Sequence, residues 1–124
     1  VEEKIIDIDG KVLTKTRNNL GDIEYRNDKG QLHRRGGPAT ISHDGFLFYR
    51  LEGKLHRTDG PSVITPGGYQ AYYLYGKLHR TDGYSIFDKY YAPEYAVDGI
   101  KYTKEQYPKA VLEYQLKQLV PTDE

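Results

Sequence analysis

An elongated antiparallel sheet of repeated β-hairpins, closed at its C-terminal end by a helical cap, is the mainly β fold that this sequence predicts. Three observations carry the prediction. The octapeptide GKLHRTDG occurs at residues 53–60 and again at 76–83, and Gly30, Gly53, Gly76 and Gly99 recur every 23 residues. Thirteen tyrosines and thirteen glycines favour twisted strands and tight turns over helix. The only helical punctuation, a Thr-x-x-Gln pattern followed by a proline, lies at Thr103, Gln106 and Pro108.

Composition bounds the function. At 124 residues the chain fits one domain with a thin core. Cys is absent, which excludes disulfides and thiolate metal sites and suits a cytoplasmic location. Eighteen basic residues balance eighteen acidic ones, so the broad positive field needed for long nucleic acids or anionic membranes is missing. No apolar run reaches the length of a membrane span, and VEEKIIDIDG lacks the basic-then-apolar order of a signal peptide.

Each element follows from local chemistry. Residues 1–29 read as a divergent N-terminal β cap, with a hairpin turning at Asp9-Gly10 and an aromatic strand over 22–26. Residues 30–102 hold the repeats. Within each, a β-branched run (39–42, 62–65, 85–87) leads through a Gly-containing turn to an aromatic run (46–51, 69–74 and, weakly, 95–97). Tyr49 and Leu51, Tyr72 and Leu74, and Tyr95 and Val97 stand two apart and are expected to face the core as pairs. The next glycine, Gly53 or Gly76, supplies the positive φ of a hairpin turn. Residues 103–119 form the C-terminal helix, whose apolar stripe covers the last sheet edge, and 120–124 are a tail. Because the C-terminal segment covers that edge, loss of residues 114–124 is expected to cost more stability than loss of residues 1–21.

The 23-residue period, with an aromatic strand followed by Gly-Lys-x-His and a second glycine, resembles the MORN repeat family over residues 23–102. The resemblance implies hairpins laid side by side in an elongated, twisted scaffold sheet. Where MORN units have Gly directly after His, this chain has Arg34, Arg57 and Arg80, with the glycine delayed to Gly37, Gly60 and Gly83. The Leu-His-Arg-x-Asp-Gly-Pro variant is similar to repeats of small proteins of tailed phages and large DNA viruses. That likeness implies a viral source, with residence in the host cytoplasm.

Three chemical readings compete for the repeated motif. A metal site at His33, His56 and His79 is opposed by geometry: equivalent strands of a hairpin array lie about 10 Å apart, beyond the reach of a shared ion. His56-Arg57-Thr58 and His79-Arg80-Thr81 each spell the His-x-Thr of two-histidine phosphodiesterases, but as adjacent copies of one repeat rather than one per lobe. No catalytic residue, metal or cofactor is therefore assigned. Turn chemistry explains the motif more simply. Asp59 and Asp82 accept nearby backbone N–H bonds, Gly60 and Gly83 take left-handed φ, and the arginines pair with the aspartates, the histidines mattering least. The remaining surface, His33, Arg34, His56, Arg57, His79 and Arg80 with Tyr69, Tyr73 and Tyr75, suits recognition of a partner. A non-enzymatic scaffold binding a host or viral protein is expected, self-association being compatible with it. The alternative is a binder of a nucleotide or other phosphate-bearing small molecule.

Overall fold

A computed structural model describes residues 1–119, so the expected tail at 120–124 lies outside the described residues. The N-terminal hairpin pairs β1 (Glu2–Ile6) with β2 (Val12–Arg17), and β3 (Ile23–Arg26) follows. Short strands then alternate: β4 (Thr40–Ile41), β5 (Leu47–Phe48), β6 (Arg50–Leu51), β7 (Lys54–Leu55), β8 (Val63–Ile64), β9 (Gln70–Ala71), β10 (Tyr73–Leu74) and β11 (Lys77–Leu78). The described residues close with β12 (Ile86–Asp88), β13 (Tyr91–Val97), β14 (Ile100–Tyr102) and helix α1 (Tyr107–Leu119). Ten strands form one antiparallel sheet in the order β1-β2-β3-β4-β5-β8-β9-β12-β13-β14, while β6·β7 and β10·β11 are separate two-stranded hairpins.

The aromatic runs read as single strands over 46–51 and 69–74 are each split at a tyrosine. Tyr49 N–H donates to Ser62 O at 2.8 Å in the next unit, whereas its carbonyl accepts His56 N–H at 3.0 Å from its own hairpin. Tyr72 repeats this with Ser85 O (2.8 Å) and His79 N–H (2.9 Å). At these residues the chain changes neighbours, leaving the long sheet to make a small hairpin. A buried serine repairs the ladder beyond the switch. Ser62 Oγ accepts Tyr73 N–H and donates to Tyr73 O, both at 3.0 Å, and Ser85 Oγ does the same for Ala96 at 2.8 and 2.9 Å.

The two small hairpins and the β13·β14 hairpin turn through two residues of positive φ, Glu52-Gly53 (49° and 80°), Tyr75-Gly76 (47° and 81°) and Asp98-Gly99 (51° and 85°), which is type I′ geometry. Each turn glycine donates its N–H to the preceding unit, to Leu32, Leu55 and Leu78 O at 2.8, 2.8 and 2.9 Å. Hairpin thus stacks on hairpin through backbone bonds as well as side chains.

The core is narrow and made largely of small residues. Ala39, Ser62, Ala71, Ser85 and Ala96 are fully buried, Leu13 nearly so, and Tyr25, Val63 and Val97 lie among them. Of the expected inward pairs only Val97 is buried outright; Tyr49, Leu51, Tyr72 and Leu74 are half-buried. At the far end Tyr107 and Ala110 of α1 pack on Val97 with Tyr95, Tyr102, Val111 and Tyr114 around them. The helix proper begins at Tyr107 rather than 103 because residues 103–106 are its cap. Thr103 Oγ1 accepts Gln106 N–H at 3.2 Å and Gln106 Oε1 accepts Thr103 N–H at 3.1 Å, a reciprocal capping box.

Candidate functional site

The repeated His-Arg turns form a stack along one side of the sheet, and the same contacts recur in each unit. His33, His56 and His79 accept, at Nδ1, the backbone N–H of Glu52, Tyr75 and Asp98 at 2.9, 3.0 and 2.8 Å. Each donor is the first positive-φ residue of the following type I′ turn, so the histidine ties one unit to the next. Accepting at Nδ1 places the proton of the neutral ring on Nε2. Burial holds both His56 and His79 below the usual histidine range; Arg35 pushes His56 further down, while Asp98 partly offsets the effect at His79.

The arginines are equally engaged. The guanidinium carbons of Arg34, Arg57 and Arg80 lie 4.0, 3.9 and 4.0 Å from the ring centroids of Tyr25, Tyr49 and Tyr72. Their Nη1 groups donate to the carbonyls of Pro38, Pro61 and Tyr84 at 3.2, 3.1 and 3.2 Å. Arg57 Nε also donates to Asp59 at 2.9 Å and Arg80 Nε to Asp82 at 3.0 Å, pairings within a unit; Gly36 stands at the corresponding place in the first. The glycine that closes the motif is there for space. A Cβ on Gly60 would lie 2.8 Å from Arg57 Cζ, and its φ is not positive, which corrects the left-handed conformation expected for it.

Each end of this stack is closed by a residue that the sequence reading passed over. At the C-terminal end Tyr95 occupies the tyrosine position but has no following arginine, and the Tyr107 ring takes that place 4.5 Å away. Tyr107 Oη donates to Arg80 O at 2.5 Å and accepts Gly83 N–H at 3.3 Å. Tyr114 lies against the His79 ring at 4.6 Å, as Tyr75 lies against His56 at 4.1 Å. At the other end the Asp7 carboxylate takes two successive backbone N–H groups, Arg35 at 2.7 Å and Gly36 at 2.9 Å, together with Ile8 N–H at 2.9 Å. Burial raises the Asp7 pKa, but these N–H bonds and His33 outweigh it and the carboxyl titrates below its usual range. The motif around Asp9-Gly10 signals a turn; nothing local in it announces a contact 28 residues away.

Asp7, Asp9 and His33 bring two carboxylate oxygens and a ring nitrogen within 4.8 Å of one another, a spacing that would suit a cation. The groups of this cluster are engaged in contacts within the chain. Both Asp7 oxygens accept backbone N–H groups, Asp9 faces Arg35 Nε at 3.2 Å, and His33 Nδ1 accepts Glu52 N–H.

Two polar grooves separate successive turns. One, of about 410 Å³, is lined by His56, Arg57, Thr58, Asp59 and Tyr75 on one side and by Arg35 to Gly37 on the other. The second, of about 370 Å³, repeats it one unit on with His79, Arg80, Thr81 and Asp82 facing Arg57 to Gly60. The structure therefore brings His56, Arg57 and Tyr75 together, and His79 with Arg80. His33 and Arg34 belong to the turn that Asp7 closes. Tyr69 and Tyr73 line neither groove; they form a separate patch with Glu94 and Lys101, where burial raises the Tyr69 phenol above its usual range. Comparison with protein families, curated proteins and solved structures returns no match for this chain.

Proposed function

We propose that this chain is a non-enzymatic repeat scaffold that engages a protein partner through its tyrosine- and arginine-rich surface. One observation carries the reading: the repeated imidazoles and guanidinia hold neighbouring turns together, so repetition builds a surface rather than a reaction centre. With Nδ1 engaged and Nε2 protonated, none of the three motif histidines offers the lone pair that a general base or a metal ligand needs. Large side chains left in solvent supply the contact area. Tyr75, Tyr90 and Tyr91 are well exposed, Tyr84 and Phe87 less so, and tyrosine and arginine dominate protein contacts. The repeat resemblance makes a host or viral protein the partner to seek.

The two polar grooves favour a second reading, capture of a small phosphate-bearing molecule by guanidinium and N–H donors. Affinity capture from lysate with the intact chain and with a Tyr90→Ser/Tyr91→Ser double variant, followed by mass spectrometry of proteins and small molecules, separates the two. A defined protein retained by the parent and lost from the variant supports the scaffold. A copurifying phosphate compound without any protein supports the second reading instead.

A further inference from the structure

The first unit of the array contains a bound carboxylate, and it belongs to the chain itself. Asp7 lies across the turn Arg35-Gly36, each oxygen taking one backbone N–H, and Ile8 follows it into contact: a Cβ on Gly36 would meet Ile8 Cγ2 at 3.0 Å and Asp7 Oδ1 at 3.1 Å. A ring nitrogen of His33 lies within 4.8 Å of the Asp7 and Asp9 ligand oxygens. The pair Asp7-Ile8 thus fills the place that, one and two units on, is an open groove.

The 23-residue period maps Arg35 and Gly36 onto Thr58 and Asp59, and then onto Thr81 and Asp82. Those turns are held in the same shape by the same contacts, the arginine on its tyrosine, the Nη1 bond to a carbonyl and the histidine Nδ1 bond to the next hairpin. Yet the N–H groups of Thr58, Asp59, Thr81 and Asp82 meet no acceptor in another residue among the described residues. They open onto the two grooves, in company with His56 and His79, whose Nε2–H donors match that of His33.

We propose that these two grooves are carboxylate nests that receive an acidic peptide of the partner, an Asp followed by an aliphatic residue, in the manner in which the first turn receives Asp7-Ile8. The inference rests on the scaffold reading above and names the partner's chemistry. Paired backbone N–H groups make a concave anion site, and a carboxylate matches their spacing. Leu51 and Tyr75 in one groove, and Leu74 and Tyr72 in the other, offer the apolar wall that the aliphatic residue needs. Asp59 and Asp82 qualify the charge of the site. Their carboxylates point outward, strongly exposed, onto Arg57 Nε and Arg80 Nε, and the Asp59 N–H has its own carboxylate as a near neighbour. Arg35 lines the first groove while paired with Asp9 at 3.2 Å, and Arg57 lines the second while paired with Asp59 at 2.9 Å, so the backbone N–H groups are the principal anion donors.

Amide NMR spectra of the full chain, titrated with a blocked peptide having the sequence of residues 5–10, test this directly. Saturable shifts are expected at Thr58, Asp59, Thr81 and Asp82, with Arg35 and Gly36 unmoved because Asp7 occupies their turn. The same peptide carrying D7N is expected to bind at least about tenfold more weakly, since it loses the charge that the nest recognises. An Asp59→Gly chain is expected to bind more tightly at that groove, the first unit showing that glycine keeps the turn; a dispersed spectrum confirms that it folds. Equal binding by the D7N peptide, or acetate alone saturating as strongly as the peptide, would overturn the assignment. So would shifts confined to residues outside the grooves. If a partner is captured through Tyr90 and Tyr91 while these amides stay still, the nests fail and the scaffold stands. If the nests saturate and no protein is ever captured, the nests stand and the scaffold reading fails.

Discussion

Histidine and aspartate exchange importance once the turn is seen in three dimensions. His56 Nδ1 is the acceptor for the backbone N–H of Tyr75 in the next hairpin, so His56→Ala removes that bond and is expected to cost about 0.5–1.5 kcal/mol in urea unfolding. Asp59 is strongly exposed and makes a screened ion pair, so Asp59→Ala is expected to be close to neutral in the same assay. Arg57→Lys keeps the charge but loses the planar stack on Tyr49 and the bond to Pro61 O, and a loss of about 1–2 kcal/mol is expected. The histidines also set a pH dependence. His56 and His79 have folded pKa values below the ordinary 6.5, so the unfolded chain binds protons first as pH falls. Their contribution is present above 6.5 and is lost as pH drops from there through the folded values, when protonated Nδ1 can no longer accept the turn N–H. In melting temperatures recorded from pH 8 to pH 5, acid is expected to cost a His56→Ala chain less than the parent, while His43, whose pKa the Asp22 hydrogen bond raises, acts in the opposite direction in both.

Among the elements, the split strands depend on single hydroxyls. Ser62 is fully buried and bonds both the N–H and the C=O of Tyr73, so Ser62→Ala is expected to cost about 1–3 kcal/mol by chemical denaturation. The corresponding residue of the first unit is Ala39, also fully buried, and Ser62→Ala is therefore expected to preserve the fold while weakening it. At the helix, Thr103→Ala removes one half of the capping box and is expected to cost about 1 kcal/mol. Tyr107→Phe keeps the ring on Tyr95 but loses the hydroxyl contacts to Arg80 and Gly83, so it separates the hydrogen-bonding role of this residue from its packing.

At the scale of the whole molecule, both ends of the array are closed, and the N-terminal end is the more deeply tied. Residues 1–21 include Leu13, one of the most buried side chains, and Asp7, which fixes the first turn. Their deletion is expected to lower the thermal midpoint more than deletion of residues 114–119, whose chief contacts are those of Tyr114 with His79 and the cluster around Val97. This reverses the order read from the apolar stripe of the helix. Leu116 and Leu119 of that stripe, and Leu112 beside it, are exposed among the described residues.

Period and turn chemistry were legible in the sequence because they are local. A glycine every 23 residues, a Thr-x-x-Gln cap and alternating aromatic runs each report on a few adjacent residues, and they sufficed for the antiparallel hairpin sheet and its C-terminal helix. The tertiary structure alone decided where the polar side chains of the motif go. The bond from His56 to the next hairpin spans 19 residues and that from Asp7 to the Arg35-Gly36 turn spans 28 to 29, and no local pattern encodes a contact that exists only after units have stacked. The switch of partners at Tyr49 and Tyr72 was hidden for the same reason. A strand's sequence shows which residues alternate, while the strand to which each N–H and C=O is given depends on the twist and register of neighbours that arrive later in the chain.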